Sequence, residues 1–209
     1  MLYLQKQLGI KSYQAAWLMG HKIRQAMTQR DSLYHLGNTV EADEIYIGGR
    51  QPMEELQKLG TNKTPFLIMV EEAKKARPRF VSFEELESIY DEHLIPVLKK
   101  RVKKGSKLKM DGGIGYSNAT RGADYKLKQS SYSKDKEKTQ EHLKWVNILT
   151  SNLKRFLLST YHGIHPKYRR AYLAEFAYRF NRRYWPYQAF DRLLYACIRS
   201  KPVTLPELK

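Results

Sequence analysis

Hydrophobic and polar positions alternate along residues 39–47, Thr-Val-Glu-Ala-Asp-Glu-Ile-Tyr-Ile, and the stretch is rich in β-branched and aromatic side chains. Alternation of that kind predicts a half-buried strand, and Gly48-Gly49 behind it predicts a turn. Residues 65–71 contain an unbroken apolar run, the mark of a strand covered on both faces, and residues 79–83 predict a short third strand. The period then changes. Leu86, Ile89, Tyr90, His93, Leu94, Val97 and Leu98 recur at three- and four-residue intervals, which predicts a helix over 86–98 with a bend at Pro96. Residues 106–110 predict a fourth strand that delivers Asp111 to a Gly112-Gly113-Ile114-Gly115 turn. The order β, β, β, α, β describes a meander followed by a parallel crossover.

On either side of this block the pattern is different. Residues 1–30 predict two helices broken at Gly9, the second capped by Ser12 and carrying Ala16, Met19, Ile23, Ala26 and Met27 at helical spacing, as in a partial helix-turn-helix. The polar stretch 50–64, with Pro52, Gly60 and Asn62, predicts a loop. Residues 117–141, rich in Lys and Ser, predict a loop or mobile lid with one short strand around 125–127. From His142 onward the pattern is helical. Tyr168, Tyr172, Phe176 and Phe180, with Leu173 and Ala177 beside them, form a core-facing stripe, while Glu175 and Arg179 pair on another face. Pro186 separates a last helix over 187–200, and the tail beyond Pro202 is expected to be disordered. The expected organisation is a helical segment over 1–35, a catalytic-type α/β domain over 36–200 and a tail over 201–209, with no internal repeat.

Composition narrows the function. The chain has 209 residues, 42% of them hydrophobic and 12% aromatic, which is enough for a folded core. A formal net charge of +17 suggests a polyanionic partner, nucleic acid first. The charge is concentrated: residues 142–201 hold twelve Lys or Arg against Glu175 and Asp191, and Lys99, Lys100, Arg101, Lys103, Lys104, Lys107 and Lys109 form a second cluster. The longest apolar run, residues 66–70, is far short of a membrane span. One cysteine, Cys197, excludes an intrachain disulfide and a multi-cysteine zinc site, and no secretory signal opens the chain, so a cytoplasmic protein is expected.

Two acids stand out as candidate chemistry. Asp43 shares strand parity with Ile45 and Ile47, and a carboxylate on an apolar face costs several kcal/mol, roughly, unless something compensates its charge. Asp111 ends a different strand of the same expected sheet and could face the same point. Such an all-oxygen pair suits Mg or Mn, and two ions held there could serve phosphodiester displacement. Glu41, on Asp43's parity, is a rival ligand, whereas Glu44 points to the opposite face. Arg179, Arg182 and Arg183 lie off the aromatic stripe and are candidate DNA contacts. His162 and His165, three apart, lack the Cys or carboxylate neighbours of a metal site. The glycine turn after Asp111 lacks the spacing of a dinucleotide fingerprint.

The strings VEADEIYIGG at 40–49, DGGIGYSN at 111–118, HLKWVNILTSNLKRFLLSTYHGIHPKY at 142–168 and YLAEFAYRFNRR at 172–183 resemble the ISXO-type insertion-sequence transposases of the DDE superfamily. The resemblance covers roughly residues 12–190 in the family's order. It implies a ribonuclease-H-like mixed sheet flanked by helices, with Asp43 and Asp111 as the first and second catalytic acids and metal ligands. The third position, commonly Glu, falls on Asn147, 36 residues after Asp111 and seven before Lys154. An Asp-Asp-Asn set followed by Lys seven residues later has precedent in the family. Asn147 is thus implied as the third catalytic residue and metal ligand, with Asn152 as its alternative ligand, Lys154 as a further catalytic residue that contacts phosphate, and Lys154, Arg155 and His162 as DNA contacts. The family's zinc ribbon ahead of the helix-turn-helix is missing from this sequence.

The resemblance implies a DNA transposase that uses two Mg or Mn ions, assembles as a homo-oligomer on element ends and target DNA, and does not act at a membrane. An inactive DNA-binding remnant of a transposase, or a ribonuclease-H-like nuclease, are the alternatives.

Overall fold

The computed structural model describes residues 2–48, 63–73, 77–88, 90–111, 125–130, 142–162 and 164–208. Helices α1 (Leu2–Gln7) and α2 (Tyr13–Asp31) come first. Gly9, at φ +62°, turns the chain between them, and the Ser12 side chain accepts the Ala15 N–H, closing the first turn of α2. Strands β1 (Thr39–Gly48), β2 (Lys63–Ala73) and β3 (Arg77–Glu85) follow, then α3 (Asp91–Arg101), β4 (Lys107–Asp111) and β5 (Lys126–Ser130). The helical C-terminal part comprises α4 (Lys144–Tyr161), α5 (Arg169–Asn181), α6 (Ala189–Arg199) and α7 (Leu205–Leu208).

The strands form one sheet in the order β3-β2-β1-β4-β5. β1, β2 and β3 pair antiparallel, while β4 runs parallel to β1 and β5 parallel to β4. This mixed five-stranded sheet flanked by helices is the ribonuclease-H-like arrangement. Strand alternation divides the core in two. Ile45, Ile47, Phe66, Ile68, Val70 and Val81 pack under α4 and α5, represented by Val146, Leu149, Leu153, Leu173 and Ala177. Val40, Ala42, Leu67, Met69, Leu108 and Met110 pack on the other face against Leu94 and Leu98 of α3. Both faces of β2 are covered, which is why its apolar run is continuous.

Several expectations need correction. The helix after β3 starts at Asp91, not near Leu86, because Leu86 is buried just beyond the strand and donates its N–H to the Pro65 carbonyl. Pro96 lies inside that helix. Asp111 ends β4, as expected. The tail beyond Pro202 is ordered into α7, with the Glu207 carboxylate accepting both the N–H and the hydroxyl of Thr204. The expected short strand extends over Lys126–Ser130, whereas the Gly112–Gly115 turn, most of the 50–64 loop and most of the lid segment lie outside the described residues.

The N-terminal helix is anchored by charge as well as by apolar contact. Arg24 of α2 donates to Glu175 of α5 at 2.7 Å and to the Tyr161 hydroxyl at 3.3 Å, and its guanidinium lies 4.4 Å from the Tyr172 ring centroid. Asp31, at the end of α2, accepts from Arg182 at 2.6 Å and from Asn181 at 2.9 Å. Asn181 also takes the Val81 N–H at 2.8 Å and gives its amide to the Val81 carbonyl at 3.0 Å, so one side chain occupies the ladder position beside edge strand β3.

Candidate active site

Parallel pairing brings the two acids together. Glu41 lies opposite Lys109 and Ala42 opposite Met110, so one step further Asp43 and Asp111 fall side by side on neighbouring strands. Leu108 and Met110 face the α3 side, which turns Asp111 to the α4 face, where Asp43 shares parity with Ile45 and Ile47. Burial pushes the Asp43 carboxyl up to about 7. Its hydrogen bond with Glu44 and the charges of Glu44 and Asp111 push the same way, against the 2.9 Å hydrogen bond that it accepts from the Glu44 N–H. A partly desolvated carboxylate whose charge is disfavoured by a like-charged neighbour forms, with that neighbour, a pair a divalent cation would stabilise. Among the described residues, no group of three or more His, Cys, Asp or Glu is placed to hold a metal.

Glu41 has a different occupation. It is 1% exposed, and its carboxylate accepts the N–H groups of Trp145 at 2.7 Å and Val146 at 3.0 Å, in the first turn of α4. These N–H groups have no partner inside the helix, and the helix dipole favours an anion there. Lys109 reaches Glu41 at 3.5 Å and Glu72 at 2.5 Å. Burial first and the Glu72 hydrogen bond second push the Glu41 carboxyl up to about 7, while Val146 N–H, Lys109 and Trp145 N–H oppose the shift. On the neighbouring strand the His142 ring nitrogen lies 3.3 Å from the Met110 carbonyl oxygen. The start of α4 is therefore fastened to β1 two residues before Asp43 and to β4 one residue before Asp111. Asn147 is the next residue after this double attachment. Sequence reasoning could place Glu41 on the correct face; its partners, more than a hundred residues away, left no local signal, and Lys109 read as one more basic residue.

Along α4, Asn147, Thr150 and Lys154 recur on one face, and Asn152 lies about 200° around the helix from Thr150. Thr150 and Lys154 line a groove of about 310 Å³ with Tyr46 and Ile47 on its β1 side and His162 at its end. His162 adopts a left-handed conformation at φ 51° as the C-cap of α4 and is exposed. Asn147, Lys154 and Arg155 are also exposed.

The remaining expected DNA contacts separate. Arg179 is exposed and lies 3.8 Å from Glu175. Arg182 is a correction: it is 9% exposed, bound to Asp31, and its guanidinium sits 3.4 Å from the Tyr178 ring centroid, so helical spacing misread a buried cation as a surface one. Arg183 is half-buried, donates to the carbonyls of Pro78, Arg79 and Phe180, and serves to hold α5 to β3. The Tyr172, Phe176 and Phe180 rings are partly buried against the core of the α4 face. Among the described residues no helix is long and apolar enough to cross a membrane.

The mixed five-stranded sheet, with Asp43 and Asp111 on two parallel neighbouring strands, is compatible with an enzyme of the DDE transposase class. The chain belongs to the ISXO2-like transposase domain family, whose model matches residues 35–181. Among solved structures it is similar to a chain in the cryo-electron-microscopy structure of the simian T-cell lymphotropic virus intasome in complex with PP2A regulatory subunit B56 gamma. The identity is 11%, the TM-score 0.43, and the match covers 69% of this chain and 48% of that one. This chain thus spans about half the length of that relative. A comparison with curated proteins gives no match.

Proposed function

We propose that this chain is a DNA transposase core that cleaves at the ends of a mobile element and transfers the freed strand into target DNA. The observation that carries the reading is the placement of Asp43 and Asp111 side by side on parallel strands, beneath the helix start that carries Asn147. The donor set fits two Mg or Mn ions: two carboxylates whose repulsion a cation relieves, and an amide oxygen. When bound, such ions supply Lewis acidity toward phosphate oxygens.

The protein's own groups do the positioning. Asp43 and Asp111 fix the reacting point over the central strands of the sheet, and Glu41 fixes the start of α4 beside it. Asn147 presents a neutral oxygen, so the set carries one negative charge fewer than a three-acid site and leaves more of the neutralisation to substrate phosphate. Lys154 and His162 bind the DNA backbone along the groove, and the exposed Arg155 and Arg179 add further cations for it. The chemistry is hydrolysis at the element boundary followed by attack of the 3′ hydroxyl on a target phosphate. DNA binding as a homo-oligomer, away from any membrane, completes the proposal.

The test is cleavage of an element-end oligonucleotide with Mg. Asp43→Asn and Asp111→Asn should each lower the rate by about a thousandfold or more, with DNA affinity within about twofold of wild type. Wild-type rates in both variants would reject the assignment. Duplex binding without cutting by the wild-type chain would support the remnant reading instead.

A further inference from the structure

At the end of β1 opposite the acids, two clefts of about 460 and 360 Å³ adjoin each other. Tyr34 and Arg192 line both and form the wall between them. Tyr195 and Arg30 lie in the first with the carboxylate of Asp191, and Tyr184 and Trp185 in the second with that of Glu71, which Arg79 meets at 3.5 Å. The rings are open to solvent: Tyr34 is 38% exposed, Trp185 43%, Tyr195 51% and Tyr184 57%. Guanidinium groups stand against them, with Arg30 4.8 Å from the Tyr34 centroid and 5.9 Å from that of Tyr195, Arg192 4.6 Å from Trp185, and Arg199 5.5 Å from Tyr195. Among the described residues no carboxylate pairs with Arg30, Arg192 or Arg199.

We propose that these clefts are a second nucleic-acid site, a stacking platform for an unpaired stretch of DNA. Exposed rings and planar guanidiniums offer faces to bases, and only unpaired bases offer faces in return. Duplex DNA would use the cations and leave the rings idle. Tyr34 is flanked by Phe80 at 5.1 Å and Arg30 at 4.8 Å and divides the clefts, so consecutive bases would lie one in each, against Tyr195 and against Tyr184 and Trp185. A second copy of the chain is disfavoured as the occupant, because a twofold contact through this patch would set its unpaired arginines against each other. The site is separate from the acids: Tyr34 precedes β1, and Thr39 to Asp43 alone spans about 13 Å of strand. The choice of DNA over RNA rests on the proposed function; the stacking platform itself does not.

The experiment measures binding of labelled (dT)20, (rU)20 and a 20-base-pair duplex to the full chain by fluorescence anisotropy. Trp185→Ala and Tyr34→Ala should each weaken (dT)20 binding by about 5- to 100-fold, with duplex affinity changed by less than about twofold. Asp43→Asn should bind (dT)20 as the wild type does, so failure of the platform and failure of the catalytic reading are distinguishable. In the wild-type chain, ultraviolet crosslinking of bromodeoxyuridine-substituted (dT)20 should map to peptides containing Tyr34 or Trp185, a readout independent of variant folding. Unchanged (dT)20 binding in both variants, or equal loss for the duplex, overturns the proposal. So does preference for (rU)20, or a Trp185→Ala change confined to oligomeric state in sedimentation.

Discussion

The interface between α2 and α5 and the adjoining positions of Asp43 on β1 and Asp111 on β4 both bring charged groups out of water, and they treat them in opposite ways. Between the helices each acid meets a cation: Glu175 is bound by Arg24 and Asp31 by Arg182. On the strands, Asp43 meets Glu44 and Asp111, which share its sign. A buried charge with an opposite partner supports architecture, whereas like charges gathered at one point store unfavourable energy that a cation can release. Glu41 lies between the two cases. It is two residues from Asp43 on the same strand, yet helix N–H groups and Lys109 satisfy it.

The contrast is tested most severely by Arg24→Ala. Leaving Glu175 without its cation should cost about 4 kcal/mol in chemical denaturation, and a loss below about 1 kcal/mol would show that the interface does not depend on the pair. His21, in the same region, gives a pH signature. It is 2% exposed and packed on Trp17 and Tyr168, and burial first and Arg24 second lower its pKa to about 4, against Glu175. The unfolded chain takes up this proton below about 6.5, while the folded chain resists it until about 4. Stability should therefore be level above pH 6.5 and decline by up to about 3 kcal/mol as pH falls toward 4. His21→Phe should flatten that slope in melting curves recorded across the range.

The paired acids should respond in the opposite sense. Asp43→Asn removes a charge that its surroundings disfavour and should raise stability at pH 8 by about 2 kcal/mol in metal-free buffer, even as it abolishes cleavage. Destabilisation would mean that Asp43 is a structural acid. The smallest effect is expected from Glu41→Gln, which keeps an acceptor for the α4 N–H groups but loses the charge. Because burial disfavours this charge as well, stability should change by less than about 1 kcal/mol, while the cleavage rate falls with DNA affinity unchanged.

Where the amino-acid pattern was local, it led to the structure. Alternation in β1 puts Asp43 on the α4 face, the continuous run in β2 reports cover on both sides, and Ser12 marks the start of α2. What escaped depends on contacts distant along the chain. Nothing near Glu41 announces that Trp145 and Val146 will bond to it, and nothing near Arg24 announces Glu175, 151 residues away. Arg182 misled for the same reason, since helical spacing separates faces but does not say that α2 covers one of them with Asp31. The aromatic clefts were invisible because Tyr34 and Trp185 meet only when the two ends of the chain fold together.

One consequence follows from hanging the start of α4 on the strand that carries the first acid. A side chain two positions along a strand returns to the same face, and a shift of one position reverses every side chain on it. Deleting Val40, or slipping β1 by one step, would send Glu41 and Asp43 to the wrong side simultaneously. Such a chain would not decline in activity by degrees: it would lose its reacting centre and the support of that centre in the same event.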